Sequence, residues 1–475
     1  MSTRPHVRKT KIIATLGPAT ESSEMLRKMI DTGVNIFRLN MSHGKHEWVR
    51  DVVPRIRAAA EEAGKNIGIL MDTQGPAIRT GDLPTKLNLK VGDIFTFTVR
   101  GVKSEEEYSV DTNYDDLIGD LNVGDTVLVD NGVIHMKVLS KETGRKLVCE
   151  VLTPGVMGNR RHINLPGIKV NLPALTEKDL ADVAVGVEVG VDYVALSFVR
   201  EPEDIKLLRS VLAGHGGNDI RIVAKIEDQT AVRNINEIIA QADAIMVARG
   251  DLGIEVPYEE LPIIQRRIVK SCLKAVKPVI VATHMLESMI SNPCPTRAEI
   301  TDIANAVYEQ ADAIMLSGET TTGQYPLECV RIMDRVASRI ERSGTAAWPS
   351  GIVLGTDAER VAASAVHMAN ELRAEGICVF TRRGNVAAIT AGLRPIFSSI
   401  FAFAPTKSLC HRLALNHGVI AHQVDFQAQP DMNILAAEQK LKERGYAKPG
   451  DKIVVVSDLI VADQFIQSVH LRIIA

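Results

Sequence analysis

Nowhere in the 475 residues do two cysteines stand as a C-x-x-C pair; the six present, Cys149, Cys272, Cys294, Cys329, Cys378 and Cys410, are widely scattered. That argues against a zinc site and a disulfide framework and fits a reducing compartment. No apolar run approaches a membrane span. The basic start, Arg4 to Lys11, meets only a few apolar residues before Gly17-Pro18, too few for a signal-peptide core, so the expected location is the cytoplasm. A large charge of one sign is missing too: net charge -3 and a pI of about 6.5 give no argument for nucleic acid or an anionic membrane as partner. Length alone suggests three domains at roughly 150 residues each.

What is present is organised around Ile222 to Val256. Two apolar, β-branched segments, Ile222-Val-Ala and Ala244-Ile-Met-Val-Ala, each run directly into charged residues, Lys225-Ile-Glu227 and Arg249-Gly-Asp251. In an extended strand Lys225 and Glu227 share one face. An amphipathic helix expected over Thr230 to Gln241 joins the two strands, and a strand-helix-strand unit brings successive tips to one edge of a sheet. Glu227 and Asp251 should then converge beside Lys225. Two carboxylates at the mouth of an apolar core are costly to keep charged without a cation between them, and a hard divalent ion completed by substrate phosphate is the usual Mg²⁺ arrangement. From this unit alone a structural Lys-Glu ion pair with an exposed aspartate in a turn accounts for the residues equally well.

The rest of the chain repeats the rhythm of strand, turn and helix. Strands are expected at 11–16, 34–39, 67–71, 191–196, 220–224, 244–248, 278–282 and 313–316, with a closing helix from Leu327 to Arg342. After the third strand the helical period vanishes. Short alternating strands punctuated by Gly92-Asp93, Gly124-Asp125 and Asn131-Gly132 turns replace it until Pro173, the pattern of an inserted β domain. The expected architecture is a (β/α)₈ TIM barrel over 1–74 and 172–345, a small β-barrel lid over 75–171, and a C-terminal α/β regulatory domain over 346–475. Gln241-Ala-Asp-Ala-Ile-Met recurs as Gln310-Ala-Asp-Ala-Ile-Met before the sixth and eighth strands, which share an interior layer in such barrels. A linker is expected over 344–355, around Trp348. The last region lacks a complete G-x-G-x-x-G or Walker A sequence, so no nucleotide site is read there.

Active sites of (β/α)₈ barrels lie at the C-terminal strand ends. Those ends carry Arg38, Asn40, Ser42, His43, Asp72, Thr73, Arg79, Ser197, Lys225, Glu227, Arg249, Asp251, Thr283, Ser317 and Glu319. Neither a cysteine nucleophile nor an evident Ser-His-Asp arrangement is among them. The mixture of cations, carboxylates and hydroxyls suits a polyanionic substrate and a metal, as phosphoryl transfer requires.

Arg38-Leu-Asn-Met-Ser-His-Gly44, Asp72-Thr-Gln-Gly-Pro-Ala-Ile-Arg79, Lys225-Ile-Glu227, Met246 to Gly253, Met285 to Met289 with Pro295 to Glu299, and Leu316 to Thr320 together resemble the pyruvate kinase family. The resemblance spans the barrel and the insertion, and the last domain more weakly. It implies transfer of a phosphoryl group from phosphoenolpyruvate to ADP, giving pyruvate and ATP in glycolysis. It further implies Mg²⁺ (or Mn²⁺) on Glu227 and Asp251, bridging substrate oxygens, with Lys225 against the moving phosphoryl group. The substrate carboxylate would lie on backbone amides at Arg249, Gly250 and Asp251. Arg38 and Arg79 would clamp phosphates, Asn40, His43, Arg79 and Arg160 would face the nucleotide, and Thr283 would help to protonate the enolate through water. A solvated basic loop is the blander reading of Arg160 and Arg161. A homotetramer is implied as well.

The chain departs from the family pattern in places. K⁺ would lie on Asn40, Ser42, Asp72 and Thr73, yet Ala77 stands where Glu marks K⁺-dependent members and Lys independent ones. With no tethered ammonium there, K⁺ is expected to be needed; Thr73 and Thr80 agree, while Gln74 resembles the independent group. His284 replaces a usual Gln, and Asn131 a usual lid Asp. Thr381-Arg-Arg-Gly-Asn-Val-Ala387 loses both hydroxyls of the family's effector loop, so Arg382 and Arg383 either bind a phosphorylated effector differently or face solvent. Two rival readings are a Mg²⁺-dependent aldolase-like barrel acting without ADP, and a silent relative that senses metabolites.

Overall fold

Eight parallel strands close on themselves in the computed structural model: β1 (Lys11–Thr15), β2 (Ile36–Asn40), β3 (Gly68–Asp72), β4 (Tyr193–Leu196), β5 (Arg221–Ile226), β6 (Ala244–Ala248), β7 (Val279–Ala282) and β8 (Ala313–Leu316). The structure describes residues 7–102, 106–142, 145–168, 170–344, 352, 354–461 and 464–475. Arg4, at the start of the basic N-terminal segment, and most of the linker, Trp348 included, lie outside them. Alternation along each strand divides the apolar residues. Ile13, Leu70, Val223 and Met246 fill the barrel interior, while Ile12, Ala14, Ile222 and Ala224 pack outward beneath the helices.

The insertion between β3 and β4 has its own core, built around Phe95, Phe97, Val127 and Leu147. A six-stranded sheet and a two-stranded one enclose it. The last domain carries β9 (Gly376–Phe380), β10 (Ser399–Ala404), β11 (Val419–Gln423), β12 (Lys452–Val461) and β13 (Gln464–Ile473), in the order 11-10-9-12-13 with only β13 antiparallel. Its Ala414 and Leu415 close the barrel interior from below, and Tyr193 donates its hydroxyl to the Arg412 carbonyl at 2.5 Å.

The helix expected over Thr230 to Gln241 is two pieces, Gln229–Arg233 and Ile235–Gln241. Asn234 breaks it, because its side-chain amide donates to the Arg200 carbonyl at 2.9 Å and holds the backbone out of helical register.

One device recurs at the barrel floor and explains the internal repeat. The carboxylates of Asp243 and Asp312, the repeated aspartates, accept the amides of Ile222 and Val279 at 2.9 and 3.0 Å. Asp192 accepts from Ile69 at 2.8 Å, and the Asn35 side chain from Ile12 at 3.0 Å. A polar side chain just before each even strand thus satisfies an amide at the start of the odd strand preceding it, where the ladder leaves donors unpaired. Each is backed by arginine: Arg8 at Asn35, Arg57 at Asp192, Arg209 and Arg221 at Asp243, and Arg394 at Asp312.

The Asp312 pair is the buried one, with Arg394 and Asp312 only 5% and 3% exposed and two contacts of 2.7 and 3.0 Å. It ties the last domain to the barrel. Asp312→Ala should therefore lower stability by about 3–5 kcal/mol, because Arg394 stays buried without its partner. Asp243→Ala, whose arginines reach solvent, should cost about 1–2 kcal/mol. Urea unfolding measures both, and equal losses would contradict this division.

Candidate active site

Along β5 the side chains of Val223 and Lys225 point inward, and Glu227 follows on the same face just past the strand. The Lys225 ammonium, 11% exposed, has three acceptors: Ser197 Oγ at 2.7 Å, Glu227 Oε1 at 3.0 Å and Asp72 Oδ1 at 3.1 Å. These come from the tips of β4, β5 and β3. The other Asp72 oxygen takes Arg38 Nε at 2.6 Å, and Arg38 Nη1 donates to Thr15 Oγ1 at 3.1 Å. Thr73 locks the β3 and β4 tips together: its hydroxyl donates to the Ala195 carbonyl and accepts the Ser197 amide, and its own carbonyl accepts the Ser197 hydroxyl at 2.7 Å.

Charge in this cluster is unevenly compensated. Burial works against the Lys225 ammonium, but Asp72 and Glu227 outweigh it and raise its proton affinity, so Lys225 stays charged. Burial likewise opposes the Asp72 carboxylate, and Arg38 and Lys225 together overcome it, holding its pKa low. Glu227 is different. Burial pushes it up to about 7, a rise that Lys225 opposes without cancelling and to which Asp251 adds. Asp72 is paired with both Lys225 and Arg38, whereas Glu227 has Lys225 alone and Asp251 close by, so negative charge is least compensated where Glu227 meets Asp251.

Glu227 and Asp251 line one cavity of about 370 Å³, together with Arg38, Asn40, Ser42, Thr73, Arg79 and Lys225. The inserted domain supplies the opposite wall through Asp130, Asn131, Arg160, Arg161 and His162. Arg161 pairs with Asp130 at 3.1 Å, and Arg160 with Asp82 at 2.9 Å in full solvent, a contact worth little. Arg79 is exposed and donates to the Arg160 carbonyl at 3.2 Å. Two hard carboxylates, Glu227 and Asp251, close enough to repel each other fit a hard divalent cation between them. Among the described residues no three His, Cys, Asp or Glu side chains form a metal cage, so such an ion would complete its shell with water or substrate oxygens.

Several strand-tip residues lie apart from this cavity. His43 is exposed outside it. Arg249 turns away, bound to Asp302 at 2.7 Å and to the Ala282 and Thr283 carbonyls. Glu319 is a structural stitch whose two oxygens accept the Leu286 and Ser317 amides at 3.0 and 2.7 Å. Ser317 also lies away from the cavity, and its buried hydroxyl has no partner. Thr283, also outside the cavity lining, has φ at +71°, its Oγ1 accepting the Gly250 amide at 2.7 Å and donating to the Ala282 carbonyl at 2.6 Å.

Sequence reasoning missed His162 and Phe198. Phe198 adopts φ of +53°, a conformation costing of the order of 1–3 kcal/mol, and its amide donates to Glu227 Oε2 at 2.6 Å. No sequence signal marks a phenylalanine for that role. His162 follows Arg160 and Arg161, and only the return path of the insertion shows that it reaches the barrel.

A second, larger cavity of about 770 Å³ lies at the opposite end, between the barrel floor and the last domain. In barrels that face carries stability, and the convergent charges are at the other. Cations and carboxylates gathered beneath a cap, with no nucleophile among them, belong to a phosphotransferase. Known proteins agree. A family model described as "Pyruvate kinase, barrel domain" matches residues 7–330, and "Pyruvate kinase, alpha/beta domain" matches 359–464. A pyruvate kinase of Bacillus licheniformis is 40% identical over 96% of this chain and 78% of its own. The chloroplastic pyruvate kinase isozyme G of Nicotiana tabacum is 42% identical over 94% and 80%. A pyruvate kinase structure from Cryptosporidium parvum superposes with a TM-score of 0.92 at 34% identity, covering 98% of this chain and 96% of that one. The chain belongs to the pyruvate kinase family.

The raised Glu227 pKa has a measurable sign. The folded state holds this proton more tightly than the unfolded chain, so the contribution is full below about pH 4.5 and is lost as pH rises through about 7. Without divalent cations, wild type should lose more stability than Glu227→Gln between those pH values. Parallel pH profiles of the two proteins in urea unfolding would contradict the assignment.

Proposed function

We propose that this protein transfers the phosphoryl group of phosphoenolpyruvate to ADP in glycolysis, giving pyruvate and ATP. The observation that carries the reading is the buried Lys225 ammonium between Asp72 and Glu227, with Asp251 adding negative charge beside Glu227. We divide the chain as the sequence suggests, into a barrel over 1–74 and 172–345, a lid over 75–171 and a regulatory domain over 346–475. Glu227 and Asp251 would hold Mg²⁺, which when bound would neutralise substrate oxygens and draw them together. Lys225 offsets charge that builds on the phosphoryl group in flight, and its three fixed acceptors keep it aimed without reorganisation. Arg38, braced by Asp72 and Thr15, and Arg79 clamp phosphates. Asn40, His43 and Arg160 face the nucleotide.

Gly250 and Asp251, at the opening of the helix Arg249–Glu255, would receive the substrate carboxylate in place of the Thr283 hydroxyl that the Gly250 amide now binds. The Thr283 hydroxyl already donates to Ala282, so it orders a water that protonates the enolate rather than surrendering its own proton. The inserted domain excludes water that would otherwise accept the phosphoryl group.

K⁺ would lie on Asn40, Ser42, Asp72 and Thr73, whose oxygens suit a large cation while Ala77 brings no ammonium into the cavity. Free, mostly buried cysteines support a cytoplasmic location, and among the described residues no helix is long and apolar enough to cross a membrane. Membership of the family supports assembly as a homotetramer. Arg382 lies with its guanidinium 5.1 Å over the Phe426 ring, a packing role that supports no effector contact of the family's usual kind.

ADP-dependent pyruvate formation tests the reading, and turnover without ADP would favour an aldolase-like reaction instead. Lys225→Met should lower kcat by at least about a thousandfold while Mn²⁺ still binds. Near-native turnover in that variant would remove Lys225 from the chemistry. Activity should also collapse in buffer free of K⁺ and Na⁺, and full activity there would reject the monovalent site.

A further inference from the structure

Three residues, His162, Phe198 and Glu227, line both the main cavity and a narrow crevice of about 60 Å³ behind it. They form the partition between the two spaces. Glu227 belongs to the barrel, His162 to the insertion, and Phe198 stands between them.

Phe198 is gripped by both chain crossings to the inserted domain. On the outgoing crossing Gly75, at φ +71°, presses bare backbone against it: a Cβ there would lie 2.9 Å from Phe198 Cδ2 and 2.8 Å from Ser197 Cβ. On the returning crossing the His162 ring packs against the Phe198 ring, centroids 6.0 Å apart and planes tilted by 58°. His162 also bridges to Arg79 on the outgoing crossing, so the two crossings move together. The Phe198 backbone, in its left-handed conformation, aims its amide at Glu227 Oε2 at 2.6 Å, while Lys225 holds Oε1 at 3.0 Å. The crevice behind leaves unfilled space beside the ring.

We propose that His162 and Phe198 are positioning residues through which the placement of the inserted domain sets the placement of the Glu227 carboxylate. Seating of the insertion presses His162 onto the ring, holds the strained amide in place and presents Glu227 to the cavity. Withdrawal frees the ring and loosens the carboxylate. Divalent-ion affinity and lid position are thereby linked, and by reciprocity an ion on Glu227 favours the seated lid. This linkage rests on the reading of Glu227 as a metal ligand.

Mn²⁺ titration of the full-length protein, followed by electron paramagnetic resonance without substrates, tests it. Glu227→Gln should abolish the site. His162→Ala should weaken Mn²⁺ binding by about threefold to tenfold, the worth of an aromatic pair, and His162→Phe should restore it to within about twofold of wild type. His162→Gln, which keeps length but no ring, should show the same loss and serves if His162→Ala fails to fold. The double variant His162→Ala with Phe198→Leu should bind no more weakly than Phe198→Leu alone. Native affinity in both ringless His162 variants, or losses that multiply in the double variant, would overturn the linkage. Mn²⁺ binding that survives Glu227→Gln would instead bring down the site reading and the linkage with it. That failure is distinguishable because it leaves His162 and Phe198 untouched.

Discussion

A lysine ammonium carried into a nearly dry barrel mouth sets the terms for everything around it. Lys225 needs three acceptors there, and β3, β4 and β5 each bring one to within 3.1 Å. Asp72, drawn in for Lys225, needs a second cation on its free oxygen, and Arg38 on β2 supplies it. Glu227 meets the negative charge of Asp251 at the tip of β6, and burial with that repulsion raises its proton affinity. Each requirement is met by a neighbouring strand, so the electrostatics hold only while the barrel stays closed.

The two ends of the barrel use carboxylates in opposite ways. At the floor, Asn35 and three aspartates before the even strands accept amides from the odd ones and lean on arginines. At the mouth, Glu227 is buried beside Asp251, and both burial and that neighbour disfavour its charge. A satisfied carboxylate stabilises, and an unsatisfied one is available for a ligand. The floor is also where the last domain is fastened, through Arg394 on Asp312 and through Leu415 beneath the barrel interior. Stability and chemistry are thus kept apart by the length of a strand.

Much of this was legible in the chain. Eight apolar segments with charged ends, broken once by alternating β strands, define the barrel and its insertion, because strand and helix periods are local properties of sequence. The inward pairing of Lys225 with Glu227 follows from the same alternation. Other features depend on contacts across the fold and were not legible. Asn234 splits a helix because it reaches the Arg200 backbone. Arg249 and Glu319 sit at strand tips yet turn to backbone groups outside the cavity, which their position in the sequence does not reveal. Phe198 owes its left-handed backbone to Gly75, His162 and Glu227 closing on it from three distant places in the chain. The repeated Gln-Ala-Asp-Ala-Ile-Met was visible as a repeat, but its meaning required the neighbouring strand whose amide each aspartate accepts.

The account stands on a metal shared by the tips of β5 and β6. The most direct measurement is an anomalous difference map, at the manganese edge, from crystals grown with Mn²⁺ and oxalate as a dianionic stand-in for the substrate's oxygens. The account predicts one strong peak about 2.0–2.3 Å from carboxylate oxygens of both Glu227 and Asp251, with oxalate completing the shell. A peak bound to only one of the two, or ordered oxalate with no metal between it and Glu227, would contradict it.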